Sequence, residues 1–240
     1  MKNLTEKIKS INIKYFISEL LIVVVGILIA LSLNNWREDN ANKNKEQYYL
    51  NSLRTDFEQS LASLTEILNQ NKESKLAAEK VLAAIRKGYS KSAVDTVKKV
   101  FRKLFGFNRF VPASGTYKEI ISTGSLQILR DNELRIALSS WEDMITRNQQ
   151  LEEVMFWQYH LINIPYLNKH IVRSDFIDDR GSSEQHNNYR TDFKKLFADP
   201  EFENILVNRA GAVEETNAYL ATMIEQVEHI IDLIKKDISD

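Results

Sequence analysis

An all-α fold is predicted by three features of this chain: few helix breakers, plentiful helix formers, and apolar residues recurring at spacings of three and four. Only seven Gly and three Pro occur among 240 residues, and no proline precedes Pro112. Leu, Ile, Lys and Glu are abundant, which is a helical composition. The architecture expected is one N-terminal transmembrane helix followed by an antiparallel bundle of long helices.

The first element is the span. Residues 15–33 carry a single charge, Glu19, and run without a break into Asn34-Asn35-Trp36. At the helical rise they cover about 28 Å, the thickness of a bilayer's hydrocarbon core. Three other readings compete. A cleaved signal peptide would use Lys2, Lys7, Lys9 and Lys14 as its basic leader and Ala30-Leu31-Ser32 as its small-x-small site. Its apolar core, however, would be long for a signal. A buried core helix would have to be apolar on every face, and a surface-lying helix needs a polar face that Leu20–Leu33 lacks. A true span is the preferred reading, with the lipid bilayer as its partner.

Orientation follows from charge. The four lysines before the span outweigh Arg37, Lys43 and Lys45 after it, which places residues 1–14 in the cytoplasm. Residues 15–36 then form the transmembrane helix and residues 37–240 an extracytoplasmic helical domain, as expected of a single-pass membrane protein. The absence of cysteine fits a domain without disulfides on either side.

Within the span, Glu19 demands an explanation, because a carboxylate in hydrocarbon pairs, snorkels or lines a polar path. It either reaches the interface beside Lys14 or pairs with a polar group of a neighbouring helix. Gly26 and Ala30 form a small-xxx-small pair that lets two helix backbones approach closely. The expectation is association in the membrane through Glu19, Gly26 and Ala30, with Asn34, Asn35 and Trp36 as the interface anchor.

Beyond the span, Leu50, Leu53, Phe57, Leu61, Leu64 and Leu68 mark one helix face. With no Gly or Pro between Gly26 and Gly88, the membrane helix either runs on or breaks briefly near Asn40–Asn44 before ending at Gly88. A second helix covers Ser92–Phe105, with Val94, Val97, Phe101 and Leu104 on one side. Ser114 is placed to cap a short helix through Ile121. Asp131 is placed to cap a long one whose buried stripe is Leu134, Leu138, Trp141, Ile145, Val154, Phe156 and Leu161, closing before Pro165. Residues 173–190 read as a polar loop, expected to be mobile. The last helix starts at Asp199 as cap, with Pro200 first and Glu201 in the first turn. It buries Phe202, Leu206, Val213, Leu220, Ile224, Val227, Ile231 and Ile234. No internal repeat is evident.

The sequence holds no GxSxG, GxGxxG, P-loop or HExxH signature, and no cysteine nucleophile. Glu225, His229 and Asp232 share a helix face, and Glu152, Glu153 and His160 are the only residues that could face them across a bundle metal site. A solvated helix face is the preferred reading of the first three, so no metal or cofactor is expected. His170 and His186 form no usable spacing. Phe101, Phe105, Phe107 and Phe110 interleave with Arg102, Lys103 and Arg109 like a nucleic-acid patch, but a net charge of −1 gives no such footprint. Core packing is the preferred role for these rings, and no nucleic-acid partner is expected.

The block from Lys14 to Trp36, followed by Glu46 and by Tyr49, Leu50 and Asp56 at the helix start, resembles a family of N-terminally anchored proteins common in Bacteroidota and known only as a domain of unknown function. The stretch Tyr117-Lys-Glu-Ile-Ile-Ser-Thr-Gly-Ser-Leu-Gln-Ile-Leu-Arg-Asp131 is similar to that family's middle segment. The resemblance implies an inner-membrane protein with a helical periplasmic domain. It also implies that Glu19, Asn34, Asn35 and Trp36 are characteristic positions. It supplies no activity, cofactor or catalytic residue.

Two function classes are carried forward, ahead of a third and less favoured one, an enzyme with an unrecognised site near Ser114–Gly124. One is a non-enzymatic, membrane-anchored interaction or scaffold protein that associates with itself or with a membrane-protein partner. The other is an extracytoplasmic ligand-binding or sensory domain that signals through a partner. A buried pocket with converging polar groups favours the second, and an exposed apolar stripe the first.

Overall fold

A computed structural model describes residues 13–106, 108–176 and 189–239. The expected basic leader (Lys2, Lys7, Lys9 and the side chain of Lys14), Phe107, His186 and most of the expected loop lie outside the described residues. The chain is all-helical throughout what is described, and it divides into two units, Met1–Tyr49 and Leu50–Asp240.

The helix α1 is Ile13–Lys87, unbroken, so the membrane helix runs on rather than breaking near Asn40–Asn44. It stops where Gly88 takes φ +87°, a left-handed conformation that glycine reaches without a Cβ penalty. In the first unit, its large apolar side chains from Tyr15 to Leu33 are between 44% and 75% exposed. Among the described residues, one helix is thus long and apolar enough to cross a membrane.

The second unit is a bundle. The helices α2 (Lys91–Leu104), α3 (Gly115–Ser122), α4 (Asn132–Gln158), α5 (Ile164–His170), α6 (Phe193–Phe197) and α7 (Pro200–Ser239) follow in order, with 3₁₀ turns at Ser125–Ile128 and Arg173–Phe176. The last helix, α7, organises the rest. Gln226 Nε2 donates to Ala137 O at 3.2 Å and the Tyr219 hydroxyl to Met144 O at 3.3 Å. Numbers rising on one helix while falling on the other make α4 and α7 antiparallel. The pairs Lys75–Glu214 and Arg86–Glu203 do the same for α1 and α7. It follows that α1 and α4 run the same way, and α2 and α3 carry the chain back between them.

Caps explain the boundaries. Asp131 accepts from the N–H groups of Glu133 and Leu134 at the start of α4, and Asp199 accepts from Glu201 N at 2.9 Å at the start of α7. Ser114 sits at the cap position of α3 but makes no side-chain cap bond. Its task passes to Asp56 on α1, whose Oδ2 accepts from Thr116 N at 2.9 Å.

The core largely follows the expected stripes. Leu50, Leu53, Phe57 and Leu64 are buried on α1, with Leu61 and Leu68 half-buried. On α7 every expected residue is buried except Ile224, which is half-buried beside a fully buried Met223. Two expectations for α4 fail. Its buried face continues from Trp141 through Asn148, Glu152 and Met155, whereas Val154 and Leu161 are 67% and 66% exposed. A face built on apolar residues alone misses a seam that passes through two polar side chains.

The second failure concerns Pro165, which does not close the helix. A π-helical turn, Tyr159–Asn163, precedes it and α5 continues with the proline in its first turn. Proline forfeits one backbone N–H of the continuing helix, and the chain passes it by way of the widened turn instead of ending there. The widened turn also has a packing consequence. Met155, Tyr159, Asn163, Leu167 and Ile171 are spaced by four, so on a straight α-helix each step would drift about 40° off the seam. The π turn takes back part of that drift, and Asn163, Leu167 and Ile171 remain buried.

Candidate functional site

Three places in the described residues gather the groups that carry chemistry or recognition. The first lies on the span. Residues 19, 26 and 30 are seven and four apart, which at about 100° per residue keeps all three within a sector of about 40°. Glu19, Gly26 and Ala30 therefore share one narrow face of α1, and all three are exposed. A Cβ added at Gly26 would meet nothing within 4 Å, so the space above that glycine is open. Asn34, Asn35 and Trp36 follow on the same helix, with Trp36 exposed.

The second is a polar seam inside the bundle. Glu152 is 5% exposed and accepts from Phe110 N at 2.9 Å and from Asn148 Nδ2 at 2.7 Å. Burial pushes its carboxyl above the usual range, opposed by these two hydrogen bonds and the nearby Arg109 guanidinium. Thr216 on α7 donates to Ala212 O at 2.9 Å and lies 3.0 Å from Met155 Sδ. The amide oxygens of Asn148 and Asn217 are buried with no hydrogen-bond partner among the described residues.

The third centres on Arg209, 4% exposed. Its guanidinium donates to Leu104 O at 3.1 Å, to Ser74 Oγ at 3.3 Å and to Gly106 O, and burial lowers its pKa to about 10. It stays charged at neutral pH, balanced by carbonyl dipoles in place of a carboxylate. Next to it, Phe101, Phe105, Tyr159, Leu167, Ile171 and Phe176 line a recess of about 520 Å³ with Gly106, Arg102 and Arg173.

The expected metal candidates are not brought together. Glu225, His229 and Asp232 are exposed on α7, and His229 Nε2 lies 3.5 Å from Glu133 Oε1 on α4. Among the described residues no group of three or more His, Asp or Glu side chains could hold a metal ion. Glu153 is exposed and accepts from Trp157 Nε1 at 3.4 Å, while His160 is exposed with its ring 4.2 Å from that of Phe156. His170 stacks on Tyr166 with ring centres 4.4 Å apart. Phe101 and Phe110 pack inward, against Phe176 and Trp141 respectively, and Arg109 lies over Phe156 at 4.6 Å.

Sequence reasoning placed Glu152 only as a metal candidate and passed over Arg209. Both had a detectable signal. Arg209 falls in the register 202–206–209–213–216–220, and Glu152 continues 138–141–148–152, so each is a charge at a core position.

Neither curated proteins nor solved structures yield a match to this chain. Residues 19–154, from Glu19 through most of α4, match the model of a family of unknown function (DUF6090). Because that match spans more than half of the 240 residues, the protein belongs to this family.

Proposed function

We propose that this protein is a membrane-anchored, non-enzymatic interaction or scaffold protein that associates within the bilayer through the Glu19, Gly26 and Ala30 face. The observation that carries the reading is the N-terminal stretch of α1, whose large apolar side chains from Tyr15 to Leu33 are nowhere less than 44% exposed. Such a surface is stable in lipid and a liability in water. One carboxylate on that surface, in line with two small residues, is the pattern of a helix that pairs through a polar contact. The excess of lysine before the span supports a cytoplasmic N-terminus and an extracytoplasmic helical domain.

Inside the bundle, Glu152 and Arg209 are both hydrogen-bonded to neighbouring backbone groups, which is how buried polar groups are satisfied. Val154, Trp157 and Leu161, spaced by three and four and at least 50% exposed, add an apolar stripe outside the membrane. Exposed stripes of this kind favour a protein partner.

The test is crosslinking in native membranes followed by purification through a C-terminal tag, with wild type and Glu19→Gln side by side. The reading expects either discrete multiples of this chain or a second membrane protein in fixed ratio, and reduced recovery of either with the Gln variant. Recovery of the monomer alone would sink it. Unchanged recovery with Glu19→Gln would return Glu19 to a snorkelling role.

A further inference from the structure

The recess beside Arg209 does not belong to the association surfaces above, and its lining is specific enough to name a ligand class. We infer that it binds an amphipathic anion, whose hydrocarbon or aromatic body lies against Phe101, Phe105 and Phe176 and whose anionic head is held by Arg102 and Arg173.

The apolar half is built before any ligand arrives. Phe101 and Phe176 are stacked with ring centres 4.0 Å apart, Phe101 meets Phe105 edge-on at 5.8 Å, and Phe105 meets Tyr159 at 6.2 Å. A volume of about 520 Å³ lies within the roughly 300–1,000 Å³ of small-molecule sites. The wall opposite α2 is equally fixed. Val172 N donates to Thr191 Oγ1 at 2.9 Å and Thr191 N to Asp175 Oδ2 at 2.6 Å, which ties the turn carrying Arg173 and Phe176 to the residues ahead of α6.

Among the described residues the charge half is uncompensated. Among the described residues neither the Arg102 nor the Arg173 side chain forms an ion pair or a hydrogen bond, and both residues are exposed. Asp175, the acid closest in sequence to Arg173, is engaged by Thr191 N and Arg190. Behind the wall, Arg209 donates to the carbonyl of Gly106, which itself lines the recess. Its charge therefore adds to the positive potential there without being offset by a carboxylate of the described residues. The π-helical turn contributes Tyr159 to the same lining.

This combination selects among ligands. A cation is repelled by three guanidinium groups. A sugar or other polyhydroxylated molecule would leave its hydroxyls facing rings, an unsatisfied burial. A neutral hydrocarbon gains the apolar contact but forgoes the charge-assisted hydrogen bonds. An alkyl or aromatic carboxylate, phosphate or sulfonate gains both.

The experiment uses the full chain in phosphatidylcholine nanodiscs with decanoate as probe, and with decanol and decyltrimethylammonium at the same chain length. Decanoate should bind saturably and displace 8-anilinonaphthalene-1-sulfonate, and the other two should compete poorly. The double variant Arg102→Gln/Arg173→Gln should weaken decanoate by about tenfold, the equivalent of one charge-assisted hydrogen bond, with decanol unchanged. Both arginines are exposed, so an unaltered melting curve is expected and confirms that the variant is folded. Decanol competing as well as decanoate, or the variant retaining wild-type affinity, would overturn the proposal. Repeating the titration with phosphatidylglycerol in the nanodiscs separates sources: a displaced probe assigns the head group to an anionic lipid, a retained probe to a free anion. The crosslinking pattern is not expected to change with these variants, so failure here leaves the association reading intact.

Discussion

Glu152 shows how one buried side chain sets a property of the whole fold. Burial raises its carboxyl pKa, so the folded chain keeps a proton that the unfolded chain has already released. Stability is then greatest at or below the ordinary carboxylate range and falls as pH rises through the raised value. Glu152→Gln removes this titration while retaining a carbonyl oxygen to accept from Phe110 N and Asn148 Nδ2. Its new amide N–H has the unpartnered Asn148 Oδ1 in the same cluster. The variant is therefore expected to show a flatter stability profile than wild type as pH rises from the ordinary carboxylate range toward neutral, and to gain on it at the higher end, measured by denaturant unfolding. A parallel pair of profiles would remove Glu152 as the source. Arg209 differs in kind: its charge persists across that range, and its cost is met by the carbonyls of Leu104 and Gly106. Both residues were detectable as charges in an apolar register. Their partners were not, because Phe110, Leu104 and Gly106 come from segments whose approach depends on how α2 and α4 pack.

At the scale of the element, two glycines make opposite predictions. Gly88 ends α1 at φ +87° and donates its N–H to Ile85 O at 2.9 Å. An alanine there finds open space but a backbone conformation that costs roughly 1–2 kcal/mol. Gly211 lies inside α7, also in open space and with ordinary φ, so alanine there should stabilise by about 0.5–1 kcal/mol. Thermal unfolding of Gly88→Ala and Gly211→Ala should shift in opposite directions; a common sign would contradict the conformations assigned to them. Helix starts at Asp131 and Asp199, the stop at Gly88 and the faces of α1 and α7 were all legible in the sequence, since each rests on local chemistry. The continuation past Pro165 was not. A proline predicts a helix end from its own sterics, and only neighbours that hold Asn163, Leu167 and Ile171 inward make a π turn the better solution.

For the whole molecule, the proposed outward orientation gives a direct prediction. Alkaline phosphatase fused after Asp240 should be active, and activity of a cytosol-only reporter at the same position would reverse the topology. The sequence by itself determined the all-helical class, the apolar helix long enough to span a bilayer, and the start and end of most helices. Periodicity, caps and breakers act over a few residues and need no partner. What only the tertiary structure decided is where polar side chains enter the interior. Glu152 and Arg209 lie in the core because α2, α4 and α7 bring backbone donors and acceptors to them. The recess lined by Phe101, Tyr159 and Phe176 exists because segments 58 and 75 residues further along the chain converge on Phe101. Contacts between distant segments carry no local signature, so the site they form is read from the packing and not from the chain.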